Sequence, residues 1–231
     1  GKVVRVEDSA GPSLRVPFLQ SVQKIPKYKM ISDLYPSDVT TKDKKVMTVD
    51  SFVIWDINDP VKYLDMVEKD GAPVNVMLFA GHQYFREAAG ALDKYAPVTK
   101  EQQEHMKKGL EKALEAGCVG ISYGLRYVPG TGRDEFLDTA SCCEKEHRMI
   151  SAHVRDDEDR VFGAVAEVAE AGKLYNIPVQ VSHIGSMAGF GQMKQLLRQV
   201  DGYRMNGIDV ACDCYPYFAF STRIGATTYD D

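Results

Sequence analysis

Beyond residue 70, short apolar runs repeatedly end in a residue able to do chemistry. Residues 74–81 lead into His82, residues 118–123 into Arg126 and Tyr127, and residues 149–152 into His153. Residues 179–182 lead into His183 and residues 208–212 into Asp213. Imidazole, phenol and carboxylate groups ligate cations and steer protons. Neutral imidazole nitrogen suits zinc, and two strand ends one step apart can hold two such nitrogens on one ion while leaving coordination open for water. An ion held that way acidifies its water and polarises a carbonyl, so hydrolysis of an unactivated amide is the natural chemistry. One histidine after a strand is more often a hydrogen-bonded core or loop residue than a ligand. It is the recurrence of His153 and His183 at equivalent positions, each after a small residue (Ala152, Ser182), that favours a site.

The elements that position these groups follow from periodicity. The strand-like runs begin near Val74, Cys118, Met149, Pro178 and Ile208. The last four are about thirty residues apart with amphipathic segments between them, the length of one βα unit, which predicts parallel strands joined by crossover helices. Spacing alone leaves a doubly wound sheet and a TIM barrel open. Chemistry gathered at the carboxy-terminal ends of successive strands favours the barrel, whose active sites sit at that rim. Thr99 with Gln102 forms a capping-box signal ahead of Met106, Leu110, Ala113 and Leu114 at helical spacing, and Gly117 ends that helix. Before residue 60 the texture differs: Val-, Ile- and Thr-rich runs broken by Gly11-Pro12, Pro17, Pro26 and Pro36 read as strands and turns, the best strand being residues 46–57.

Composition bounds the function classes. A chain of 231 residues with 44% apolar and 26% charged side chains is globular and long enough for a sizeable core. Residues 1–64 carry ten Lys/Arg against eight Asp/Glu, and residues 65–231 carry eighteen against twenty-five, so neither part presents the basic face a nucleic-acid partner needs. No run reaches the roughly 18 apolar residues of a membrane span, and Gly1-Lys2-Val3-Val4-Arg5 lacks the apolar stretch of a signal peptide. Five cysteines (Cys118, Cys142, Cys143, Cys212, Cys214), without CxxC spacing, suit a reducing, cytoplasmic setting better than a disulfide framework or a thiolate zinc site. Cys118 reads as core, Cys142 and Cys143 as packing residues on a helical stretch. Asp213, flanked by Cys212 and Cys214, reads as a hydrogen-bond partner of the following Tyr-Pro-Tyr turn.

Longer motifs carry a resemblance. Gly81-His82, Glu115-Ala116-Gly117-Cys118-Val119-Gly120-Ile121-Ser122-Tyr123-Gly124-Leu125-Arg126-Tyr127-Val128-Pro129-Gly130, Ala152-His153-Val154-Arg155-Asp156, Val179-Gln180-Val181-Ser182-His183 and Asp213-Cys214-Tyr215-Pro216-Tyr217, followed by Ser221-Thr222, occur in order. Over residues 64–231 they resemble N-acyl-D-amino-acid deacylases (D-aminoacylases) of the amidohydrolase superfamily. The resemblance implies zinc as cofactor, His153 and His183 as metal ligands, Tyr127, Tyr215 and Ser221 as substrate-binding residues, and a small N-acyl-D-amino acid as substrate. His82 matches a family position for which a structural role is expected. The family's amino-terminal HxH pair is absent, and its general base, a late-strand aspartate, is expected beyond Asp231. The isolated chain is therefore expected to be weakly active or inactive.

Residues 1–63 resemble something else. Gly11-Pro12-Ser13-Leu14-Arg15-Val16-Pro17-Phe18-Leu19, Val39-Thr40-Thr41-Lys42-Asp43-Lys44-Lys45 and Val49-Asp50-Ser51-Phe52-Val53-Ile54-Trp55-Asp56-Ile57-Asn58-Asp59-Pro60 are similar to the stomatin/prohibitin-like (SPFH) domain of bacterial HflC proteins. The expected architecture is a small β-rich SPFH-like segment followed by a partial TIM barrel of about five βα units. The two parts look chimeric, joined near Tyr63-Leu64-Asp65. The alternative function implied by the first part is an HflC/prohibitin-like scaffold that forms an oligomer and modulates a membrane AAA protease.

Overall fold

The computed structural model describes residues 59–71 and 75–217 and, as backbone, the strands β1 (Asp33–Thr40) and β2 (Val46–Phe52). Contacts divide the chain into two compact units, Gly1–Asp56 and Ile57–Asp231. In the first, β1 and β2 pair antiparallel, with a register shift between Leu34 and Ser37. That irregularity brackets Pro36, which has no N–H to give the ladder and is tolerated at such bulges. The strand expected over residues 46–57 is described as far as Phe52; its remainder lies outside the described residues.

The second unit opens with helix α1 (Pro60–Asp70), whose first N–H groups are met by Asp59: its Oδ1 accepts from the Lys62 amide at 3.0 Å. Proline at the start costs nothing there, since that N–H would be orphaned anyway. Then come β3 (Phe79–Gly81), α2 (His82–Ala88), α3 (Lys100–Glu115), β4 (Gly120–Gly124), α4 (Arg133–Ala140), β5 (Met149–His153) and α5 (Val161–Tyr175). Strand β6 (Val179–Val181), the short α6 (Ile184–Met187), α7 (Met193–Met205) and β7 (Val210–Cys212) complete it. Three strands start later than their apolar runs do. Before β3 the Leu78 carbonyl takes the Val119 amide at 2.9 Å, before β4 the Val119 carbonyl takes the Met149 amide at 3.3 Å, and before β7 the Asp209 carbonyl takes the Val179 amide at 2.8 Å.

The five strands β3 to β7 lie side by side in sequence order, every neighbouring pair parallel. This settles what spacing left open. A doubly wound sheet reverses its strand order at a switch point, whereas a sheet that advances one strand at a time through right-handed crossovers puts all its helices on one face, as a TIM barrel does. Burial follows that division. Ile121, Tyr123, Ile150, Ala152, Val179, Val181 and Val210 are buried in one core with Met106, Leu110, Ala113 and Leu114 of α3 and Val161, Val165 and Val168 of α5. The alternate positions are polar or small: Ser122, Ser151, Gln180 and Ala211 form one row across four strands, with Ser151 and Ser182 hydroxyls 3.0 Å apart.

Helix α3 carries the expected capping box. Thr99 Oγ1 accepts from the Gln102 amide at 3.2 Å and Gln102 Oε1 from the Thr99 amide at 2.9 Å. Gly117 ends it with a φ of +110°, a conformation that side chains oppose. Gly120 is needed for a different reason: a Cβ there would stand 1.9 Å from the Met149 carbonyl oxygen on the paired strand. Gly120→Ala should therefore destabilise the sheet by about 1–3 kcal/mol, the usual cost of overpacking. Gly163→Ala, on α5 with nothing within 4 Å of the added carbon, should leave the thermal midpoint unchanged or raise it. Equal melting of the two variants would contradict this packing.

Candidate metal centre

His153 is the last residue of β5 and lies level with Gly124 of β4. His183 follows β6 by one turn residue, Ser182, whose amide still bonds the Ala152 carbonyl at 3.0 Å. Adjacent parallel strands thus deliver two imidazoles to one point. His153 Nδ1 stands 3.0 Å from His183 Nε2, with ring centroids 4.5 Å apart and planes inclined by 70°.

The separation fits a shared ion. With zinc–nitrogen bonds of about 2.0–2.1 Å, two nitrogens on one tetrahedral zinc stand roughly 3.3 Å apart. The two rings meet in a near T-shaped arrangement, with one nitrogen of each at the gap. Burial, and after it the neighbouring His183 imidazole, lowers the His153 pKa from its ordinary 6.5 to about 4, so His153 is neutral at pH 7. Among the described residues, no group of three or more His, Cys, Asp or Glu side chains gathers around an ion-sized space, so this chain's described contribution is two imidazoles.

His183 holds an unusual backbone. Its φ of +38° and ψ of +49° lie in the left-handed region, where a residue with a Cβ is strained. Two partners hold it there, one of them braced by a third residue. Asp213 Oδ1 accepts from the His183 amide at 2.7 Å, and Gln180 Nε2 donates to the other oxygen at 2.6 Å. Ser186 reaches back from α6, its amide and its hydroxyl each donating to the His183 carbonyl at 2.9 Å. Asp213 is thus a clamp on His183 and not, as the sequence suggested, a partner of the Tyr-Pro-Tyr turn. Its backbone carbonyl also takes the Ile184 amide at 2.8 Å. Asp213 follows β7 directly and so reaches the end of the neighbouring strand β6, where the strained amide needs an acceptor.

Both anticipated tyrosines flank the pair. Tyr127, in the turn after β4, has its ring 4.7 Å from that of His153, and Tyr215 has its ring 6.5 Å from that of His183. Tyr217 stacks beyond Tyr215 at 6.4 Å. The rim therefore reads Tyr127, His153, His183, Tyr215 in a line. Ser221 lies outside the described residues.

The remaining chemistry-bearing residues serve structure. His82 is buried, with Nε2 3.0 Å from Glu135 Oε1, and Arg86 Nε donates to the same oxygen at 3.1 Å. Arg86 also donates to the carbonyls of Asp93, at 2.9 Å, and Ala96. Arg155 forms a two-point pair with Glu167 and donates to the Thr131 carbonyl at 2.7 Å. All five cysteines are free. Cys118 and Cys143 are fully buried, Cys142 partly so on a 3₁₀ turn; burial lifts the Cys142 thiol to about 11 and Cys143 to about 12, which leaves them protonated and unreactive at pH 7.

Comparison with known proteins gives two relationships. A model of the SPFH domain / Band 7 family matches residues 1–90. N-acyl-D-glutamate deacylase of Alcaligenes xylosoxydans xylosoxydans is 34% identical over 168 residues, covering 71% of this chain and 34% of that protein. D-aminoacylase of the same organism is 29% identical over 166 residues, 70% of this chain and 34% of that protein. Among solved structures, N-acyl-D-glutamate deacylase from Bordetella bronchiseptica, complexed with zinc and a phosphonate inhibitor that mimics the tetrahedral intermediate, superposes with a TM-score of 0.62 at 32% identity. That match covers 69% of this chain and 34% of the other. A D-aminoacylase described as defining a novel subset of amidohydrolases gives a TM-score of 0.62 at 25% identity, over 68% of this chain and 34% of that chain. The chain spans about a third of the length of the curated relatives it matches.

The parallel-sheet unit thus resembles a stretch of an amidohydrolase barrel. More narrowly, the relatives it matches are N-acyl-D-amino-acid deacylases, one of them solved with zinc, while the amino-terminal part of the same chain is SPFH-like. The SPFH match runs to residue 90, past the first strand of the parallel sheet. The backbone ladder from Phe79–Gly81 to β4 assigns that stretch to the second unit, and hydrogen bonding is the firmer criterion for where a strand belongs.

Proposed function

We propose that residues 64–231 form part of the metal and substrate site of a zinc-dependent deacylase acting on N-acyl-D-amino acids, joined to an SPFH-like segment over residues 1–63. One observation carries the reading: His153 Nδ1 and His183 Nε2 converge to 3.0 Å at adjacent strand ends, between two phenol-bearing side chains. His153 and His183 hold the zinc. When bound, zinc polarises a carbonyl and acidifies water, the two demands of amide hydrolysis. Tyr127 and Tyr215 line the substrate from either side of the pair, their hydroxyls suited to a carboxylate or acyl amide, and Ser221 adds a third hydroxyl. Asp213 and Ser186 keep His183 in place while the substrate is held. A reducing, cytoplasmic setting suits the five free thiols.

The test is zinc titration of the full chain by calorimetry, followed by N-acetyl-D-glutamate and its L enantiomer. The expected result is one zinc per chain and zinc-dependent binding of the D compound in preference to the L, with weak or no release of acetate. No zinc uptake, together with ligand binding indifferent to zinc, would overturn the reading.

A second reading rests on the SPFH / Band 7 match: a scaffold that works by self-association. No helix among the described residues is long and apolar enough to cross a membrane. Large assemblies containing no metal, found by light scattering and metal analysis, would favour it over the deacylase.

A further inference from the structure

We infer that Ser186 is a positioning residue that fixes the tautomer of His183, keeping its proton on Nδ1 so that Nε2 is the nitrogen offered to the ion. The inference rests on the zinc site proposed above for its purpose, but its geometry is independent of the metal. Ser186 Oγ lies 2.9 Å from the His183 carbonyl oxygen and 3.1 Å from His183 Nδ1. A serine hydroxyl has one proton and two lone pairs. The hydroxyl donates to the carbonyl, which also takes the Ser186 amide through its second lone pair, so the single hydroxyl proton is used there. The oxygen then faces Nδ1 with a lone pair, a contact that is attractive only if Nδ1 carries the proton. Neutral imidazole has one N–H, so Nε2 is left as an acceptor, and it is Nε2 that faces His153 Nδ1 at 3.0 Å. In the metal-free protein the same logic makes His153 the donor in that contact.

Ligating histidines commonly donate their second N–H to an oxygen that sets the tautomer, and loss of such a partner typically costs 10–100-fold in metal affinity. Here the partner comes from α6, four residues long and placed directly after the strand end, so ring and backbone of His183 are held by one side chain. Ser186 is itself exposed, which makes it replaceable without loss of fold and puts the expected effect at the lower end of that range.

The experiment is long-range proton–nitrogen correlation NMR of the full chain without metal, on wild type, Ser186→Ala and Ser186→Thr. Wild type and Ser186→Thr should show His183 protonated at Nδ1 with Nε2 unprotonated. Ser186→Ala should move the proton wholly or partly to Nε2, with an unchanged melting profile. Zinc titration should then show Ser186→Ala weakened about tenfold and Ser186→Thr close to wild type. A wild-type His183 carrying its proton on Nε2, or an Ser186→Ala variant with the wild-type tautomer, overturns the inference. If the tautomer responds as described but no form binds zinc, Ser186 keeps its role and it is the deacylase reading that falls.

Discussion

His153→Ala and His183→Ala should each lower zinc affinity by more than about 100-fold, beyond what loss of an outer-shell partner costs. The reason is the number of ligands. The described residues bring two imidazoles to the centre and no third His, Cys, Asp or Glu, so each substitution removes half of that contribution. His153 should bind without a proton penalty near neutral pH, because its pKa of about 4 leaves it neutral well below pH 7. Competition titration against a chromophoric chelator reads the effect. Cys118→Ala is the matched control: a buried thiol before β4, at the opposite end of that strand from the rim, whose loss should not change zinc affinity. Zinc retained at wild-type strength by both histidine variants would remove the centre altogether.

Glu135→Ala should destabilise the second unit by about 3–5 kcal/mol, the cost of removing one partner from a buried ion pair. Glu135 lies on α4, and its Oε1 receives both His82 Nε2 and Arg86 Nε from α2, with all three side chains almost wholly buried. Deleting the carboxylate leaves the Arg86 guanidinium enclosed without its counter-charge, though still bonded to two carbonyls. Glu135→Gln should be milder, since the amide oxygen can still accept. Urea unfolding followed by circular dichroism checks this. A loss below 1 kcal/mol for the alanine variant would mean that the pair is more hydrated than its burial indicates.

The sequence made the strand ends legible because chemistry recurred there in register with the βα repeat. His153, His183 and Tyr127 could be grouped before any coordinates, since each follows its own apolar run by a few residues, and Tyr215 joined them only through the resemblance to the deacylases. The helix capped at Thr99 was equally plain: cap, periodicity and glycine stop all pointed the same way. Sheet order was not legible, because spacing is the same in singly and doubly wound folds and only hydrogen bonding between strands distinguishes them. Glu135 left no signal either, its partners lying 49 and 53 residues away in the chain. Ser186 was passed over because a serine three residues after a histidine is commonplace until a left-handed turn folds it back. For Asp213 the residue was noticed but its partner mistaken, since local sequence proposed the adjacent turn while the parallel ladder supplied a strained amide on the next strand.

The left-handed turn at His183 has an evolutionary reading. A non-glycine residue held in such a conformation costs on the order of 1–3 kcal/mol, and glycine or asparagine would occupy the same backbone more comfortably. That position is therefore filled against its conformational interest, and drift under selection for robustness alone would carry it away from imidazole. A lineage that no longer used the ring would be expected to betray the fact here first.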